Sequence, residues 1–264
     1  MKKLSKIYLS LMLAFLYIPI SILIVFSFNS TKSRSVFTGF TFEWYYKLFH
    51  NELIMTSLMN TLIVAVVASV FATILGTVAA IGIHKMRRPS KAIIMQVTNI
   101  PIINPEIVTG VSMMLLFVFF AARMNLEFGF TTLIIAHITF DVPYVVMNVM
   151  PKLRQLDENI YEAAQDLGCG SFRAFFKVVL PEIMPGIISG FLMAFTFSLD
   201  DFVVSYFTSG SSAQTLPITI YAMTRRKVSP EINALSTIIF VVVFIVLVAK
   251  NLIENRNIKK EAER

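Results

Sequence analysis

Asp200 and Asp201 stand side by side in FTFSLDDFVVSYF, residues 195–207, a run that is otherwise apolar. Glu106 interrupts a second such run, and His137 and Asp141 lie four residues apart in a third. A charged side chain in a lipid-spanning segment costs roughly 2.5–3.5 kcal/mol on insertion scales, so each must be offset. A carboxylate in a low-dielectric path achieves this by meeting a cation, whose own desolvation is offset in the same encounter. Tyr206, Phe202 and Phe197 are rings beside the aspartate pair, either ordinary core or faces each worth ~0.5–2 kcal/mol to a cation. Two plainer arrangements compete: the span ends near Leu199 and both aspartates face water, or the pair makes a contact between subunits. On a helix, neighbours point about 100° apart, so both aspartates face one narrow path only where the helix breaks or ends. His137 and Asp141 share one helix face, either as a proton relay, as part of the path, or as a structural pair. Glu106, beside Pro105 in NPEIVTG, marks a break at which freed backbone groups must lie against protein or water.

The elements that carry these residues belong in a membrane. The chain has 264 residues, of which 56% are hydrophobic and 15% charged, far from the soluble balance. Its apolar residues fall into six blocks, at residues 7–28, 58–83, 92–122, 131–150, 187–207 and 232–249. Each block is long enough to cross a hydrocarbon core of ~30 Å at about 1.5 Å per residue. The expected fold class is therefore all-α, a polytopic bundle of six transmembrane helices forming a single domain over 1–264. The first block follows MKKLSK, but FSFNST after it offers no small-x-small cleavage site, so it is taken as a retained span. With the N-terminus inside, 16 Lys and Arg residues fall on inner segments and 7 on outer ones. This bias favours both termini in the cytoplasm, although Arg225, Arg226 and Lys227 point the other way.

That topology accounts for most of the net charge of +7, which leaves nucleic-acid binding a poor explanation. A single cysteine, Cys169, excludes an internal disulfide, and no His/Cys cluster has metal-ligand spacing. No nucleophile–base set suggests an intramembrane enzyme, and no phosphate-cradling G-x-x-x-x-G-K-[ST] loop is present.

One inner stretch, Pro151–Pro185 (loop 151–186 at its widest), is too polar to span and too patterned for a linker. Asp157 can cap a first helix whose apolar positions Ile160, Ala163, Ala164 and Leu167 share a face, with Gly168 and Gly170 stopping it. Ser171 can cap a second, carrying Phe172, Phe175, Phe176 and Val179 and ended by Pro181. Each is too short to be stable alone, so both must pack on the membrane surface, on the bundle, or in a partner's groove. GIISG at 186–190 has the small-xxx-small spacing of a close helix contact. Ser229, Pro230 and Glu231 have the order of a helix start.

Glu162-Ala163-Ala164, then Gly168, then Leu180-Pro181 resembles the "EAA" loop of permease subunits of binding-protein-dependent ABC importers. Val178 stands where that pattern has Ile, which keeps the β-branched bulk. AHITFDVPYVV, FSLDDFVVSYFTSG and LPITIYAM further resemble the spermidine/putrescine permeases of the PotC type, over roughly residues 55–255. The resemblance implies a non-catalytic subunit of the bacterial inner membrane that moves polyamines by alternating access. It implies a pair of ATPase subunits holding ATP and Mg, a second homologous permease, and an extracytoplasmic polyamine-binding protein. Glu162, Ala163, Ala164, Leu167, Gly168, Leu180 and Pro181 would couple to the ATPase. Asp200, Asp201, Tyr206, Glu106 and Asp141 would line the substrate path. A sibling importer for an amino acid or iron, and a cation-coupled secondary transporter, are the alternatives; sulfate suits acidic spans poorly.

Overall fold

Long apolar runs without internal partners satisfy their backbone in lipid only as helices, and helices are what the computed structural model contains. It describes residues 2–32, 36–124, 127–226, 230–241 and 244. The first helices are α1 (Lys2–Ser27), α2 (Glu43–Phe49), α3 (Glu52–His84), α4 (Arg88–Ile103), α5 (Glu106–Met124) and α6 (Phe130–Gln155). There follow α7 (Glu158–Asp166), α8 (Ser171–Ala174), a π-helical turn (Phe175–Val179), α9 (Leu180–Asp200), α10 (Val203–Thr208), α11 (Leu216–Arg226) and α12 (Pro230–Val241). Among the described residues the only β-pairing is an isolated bridge between Asn29 and Phe40. Among the described residues, five helical stretches are long and apolar enough to cross a membrane: Lys6–Ser27, Glu52–His84, Glu106–Arg123, Phe130–Gln155 and Ser171–Asp200. The sixth expected span, 232–249, begins in α12, and its second half lies outside the described residues.

The chain forms two compact units, one of residues 1–55 with 220–264 and one of residues 56–219. In the first, Trp44 on α2 is buried and its indole N–H donates to the Asn29 carbonyl at 2.7 Å. Pro230 opens α12, and the Glu231 carboxylate accepts from Asn51 Nδ2 at 3.2 Å; the capping expected of Ser229 lies outside the described residues.

The second unit is built on α6 and α9. Val145, Val149 and Met150 of α6 pack with Ile183 and Ala194 of α9 and with Ala72 and Ala80 of α3, all buried. The contact is close because the GIISG glycines face α6. A Cβ on Gly186 would stand 2.9 Å from the Asn148 carbonyl oxygen, and one on Gly190 would stand 3.2 Å from Val145 Cα. Gly186→Val is expected to lower the unfolding midpoint of the purified protein by several degrees, from overpacking worth about 1–3 kcal/mol, read by thermal denaturation in detergent.

The interruptions raised for the third and fifth blocks are present, and the second helix of the inner loop differs from expectation at both ends. The block 92–122 is not one helix: α4 ends at Ile103 and α5 starts at Glu106. Pro105 disfavours the helical region at the residue before it, and Asn104 is extended at ψ 138°. The second amphipathic helix of the inner loop does not end at Pro181. It continues through the π-turn, where the Leu180 N–H donates to the Phe175 carbonyl, into α9. The wider turn admits a proline in the first turn of the helix that follows, where its missing N–H costs least. Ser171 does not cap; Gly170 holds that position and Ser171 Oγ accepts from Gln165 Nε2 at 2.9 Å. The block 187–207 is broken in turn, with α9 ending at Asp200 and α10 starting at Val203.

Candidate functional site

Both breaks lie at one cavity. It has a volume of about 260 Å³, and its walls include Pro101 of α4, Glu106 and Thr109 of α5, Tyr144 of α6, Phe197 and Asp200 of α9, and the 201–204 segment. Irregular backbone at membrane depth is stable only where it faces protein or a water-lined space, and a cavity between two interrupted helices supplies the latter. Close packing holds the two interruptions together: a Cβ on Gly110 of α5 would meet the Phe207 ring at 2.9 Å and the Val203 carbonyl at 3.3 Å.

Glu106, Asp200 and Asp201 thus share one wall. Their environments differ. Asp200 is exposed, and among the described residues no hydrogen bond or ion pair takes up its carboxylate. It ends α9, a helix of 21 residues, whose terminal carbonyls add negative potential at the same place. The Asp201 side chain is 7% exposed. Its Oδ1 accepts from the Val204 N–H at 3.2 Å and its Oδ2 from the Ser205 N–H at 2.6 Å, which satisfies the start of α10. The Tyr144 and Phe197 rings meet at the cavity wall with centroids 4.4 Å apart, tilted by 42° to each other. The site therefore combines carboxylates, the C-terminus of α9 and aromatic faces, all of which attract a cation, with the N-terminal ends of α5 and α10, at which Glu106 and Asp201 stand.

His137 and Asp141 are fully buried and do not pair with each other. The imidazole Nδ1 shares a hydrogen bond with Ser198 Oγ at 2.6 Å, and Nε2 shares one with Ser205 Oγ at 3.0 Å. Neither Asp141 oxygen has a hydrogen-bond partner among the described residues. Asp141 lies one residue after Phe140 and three before Tyr144, both of which line the cavity. Tyr206, in contrast, is half exposed on α10 and outside the cavity wall, with its ring 5.6 Å from that of Phe202. Tyr144, Ser198 and Ser205 were not among the residues singled out from sequence. Small hydroxyls and a ring in apolar helices carry no periodic signal that separates them from core.

The other candidate surface is the turn after α6. Asp157 caps α7, its carboxylate accepting from the Asn159 N–H at 3.0 Å. At the far end the Gly168 N–H donates to Gln165 at 2.8 Å and the Cys169 N–H to Ala164 at 3.0 Å, the two bonds of a Schellman stop. Gly168 takes φ +85°, which any side chain would strain. The apolar face of α7 is left open: Leu167 is 88% exposed, and Ile160 and Ala163 are exposed too. Glu162 is likewise exposed, while Leu180 and Pro181 lie beyond the π-turn at the start of α9. Beside α7, a groove of about 800 Å³ runs between Leu153, Tyr161, Phe172 and Phe176.

Residues 72–256 match the family model for the binding-protein-dependent transport system inner membrane component. The spermidine/putrescine transport system permease protein PotC of Escherichia coli K12 is 38% identical over 240 residues, 91% of this chain and 89% of that protein. The putrescine transport system permease protein PotI of the same strain is 42% identical over 236 residues, 88% of this chain and 84% of its own length. Among solved structures, a bacterial ABC transporter that imports the acidic polysaccharide alginate contains a chain superposing with a TM-score of 0.69. It covers 96% of this chain and 95% of its own, and at 14% identity the likeness is one of fold. An all-α, multi-pass chain with this turn and this extent of similarity belongs to the family of binding-protein-dependent transport system inner membrane components.

Proposed function

We propose that this chain is the membrane-spanning permease subunit of an ATP-driven importer of polyamines, and that the cavity at its two helix breaks receives the cargo. The observation that carries this reading is the wall itself, where Glu106 and Asp200, the latter exposed and engaged by no group among the described residues, stand among Tyr144, Phe197 and Phe202. A polyamine is a flexible chain with ammonium groups separated by methylenes. Carboxylates and a helix C-terminus suit the first, and ring faces suit both. An open, water-accessible wall keeps binding weak enough for release, as a transport path requires. The polyamine names of the relatives 38–42% identical to this chain support the same cargo. Asp141, one layer behind the cavity, is the next carboxylate along such a path; Tyr206 stands outside it.

ATP would be bound and hydrolysed on a separate pair of ATPase subunits, with Mg. The exposed face of α7, from Glu162 to Gly168, would seat in them, so that their closure moves α6 and α9. A second homologous permease completes the pore, and an extracytoplasmic binding protein delivers the cargo. Both termini would lie in the cytoplasm of a bacterial cell, which puts α7 on the side of the ATPase. Uptake of labelled spermidine by cells in which this transporter is the sole polyamine route tests the cargo. Unlabelled spermidine or putrescine is expected to compete, and amino acids or ferric iron are not. Competition by an amino acid or iron alone would reassign the protein to a sibling importer.

A further inference from the structure

We propose that the adjacent aspartates have different tasks: Asp200 meets the cargo, whereas Asp201 and His137 are positioning residues that hold the helix break on which Asp200 is mounted. This rests on the reading of the cavity as the cargo site. The assignment follows from what each carboxylate already does. Both oxygens of Asp201 are engaged by the N–H groups of Val204 and Ser205, at 3.2 and 2.6 Å. These donors have no partner inside a six-residue helix, and at membrane depth leaving them bare is costly. Asp201 therefore serves the start of α10 as a hydrogen-bond acceptor, while the charge of Asp200 adds to the negative end of α9 and is left for a cation.

His137 completes the clamp from a third helix. Its two ring nitrogens reach hydroxyls on either side of the break, Ser198 on α9 at 2.6 Å and Ser205 on α10 at 3.0 Å. Nε2 also stands 3.6 Å from Asp201 Oδ2. One buried imidazole on α6 thus fixes the angle between α9 and α10, and with it the direction of Asp200. Its polar contacts are with Ser198, Ser205 and Asp201, which are parts of the break, and not with Asp141.

Amide rescue separates the two tasks, because Asn carries no charge yet its one carbonyl oxygen can still accept from the Ser205 N–H, the shorter of the two bonds that Asp201 makes. The complete transporter, reconstituted with spermidine-loaded binding protein, is compared for Asp200 and Asp201 each changed to Asn and to Leu. Asp201→Leu is expected to lose roughly tenfold or more of uptake, and Asp201→Asn to recover at least about a third of the parental rate. At Asp200, Asn is expected to be as damaging as Leu. A second readout covers variants too poorly assembled to transport: reaction of a thiol reagent with Val203→Cys, on the cavity wall, in a Cys169→Ser background. Its rate is expected to shift several-fold in Asp201→Leu and His137→Leu and to return towards the parental value in Asp201→Asn. If Asp201→Asn proves as damaging as Asp201→Leu, the charge itself is used and the assignment is overturned. It is overturned equally if both Asp201 variants transport normally. A harmless Asp200→Asn alongside a rescuing Asp201→Asn would instead remove the cargo reading of the cavity and leave the clamp standing.

Discussion

Asp200→Asn is expected to cut the efficiency of polyamine uptake roughly ten- to a hundredfold while the subunit still folds and assembles. The magnitude is that of one charge-assisted contact, about 1.5–3 kcal/mol, converted at 1.4 kcal/mol per factor of ten. Folding should survive because the carboxylate is exposed and engaged by no group among the described residues, so an amide of the same shape leaves nothing unsatisfied. The comparison that matters is Glu106→Gln, at the second carboxylate lining the same cavity. If the two carboxylates take separate ammonium groups of one cargo molecule, each change alone slows uptake and the pair together lowers it further. Initial rates of labelled spermidine uptake, normalised to the amount of assembled complex, provide the check.

Leu167→Asp is expected to have the second large effect, at the opposite end of the mechanism. Leu167 caps the C-terminus of α7 with 88% of its surface open, so the substitution should alter the subunit's own stability by no more than about 0.5 kcal/mol. In a partner's groove the same change buries an unpaired carboxylate at the centre of a contact. Such central apolar positions are worth at least about 2 kcal/mol, or roughly thirtyfold in affinity. Co-purification of the ATPase subunit should therefore fall sharply in Leu167→Asp and remain in Leu167→Met. Undiminished co-purification would free α7 from the coupling role and return its apolar face to the membrane surface.

The two ends were not equally visible in the amino-acid sequence. The helical class was legible because uncharged runs of about twenty residues have one backbone solution in lipid. The stop of α7 was legible too, since Gly168 after an amphipathic turn is a local signal with a local cause, φ +85°. The break at 104–105 was marked by Pro105. The continuous helix through 175–181 was hidden, because Phe172, Phe175, Phe176 and Val179 fit an ordinary helical stripe and Pro181 resembles a stop. A π-turn has no spacing that would distinguish it in so short a segment.

The cavity wall was half visible. Glu106 and Asp200 stand out in any apolar run, but Tyr144 does not, since a ring in a spanning helix is ordinary core. His137 shows how local spacing misleads. Asp141, four residues on, is its natural helical neighbour, yet its partners Ser198 and Ser205 are 61 and 68 residues away and follow from tertiary packing alone. The same packing separates the roles of Asp200 and Asp201, which the sequence presents as a matched pair.

The central claim is that this chain passes polyamine only when a separate ATPase drives it. It is tested most directly in sealed proteoliposomes holding the complete complex, with ATP hydrolysis and spermidine accumulation measured on the same sample. Spermidine-loaded binding protein is expected to stimulate hydrolysis and start accumulation together, and withdrawal of ATP is expected to stop both. Accumulation that continues without ATP under an imposed cation gradient, or hydrolysis indifferent to the loaded binding protein, would contradict it.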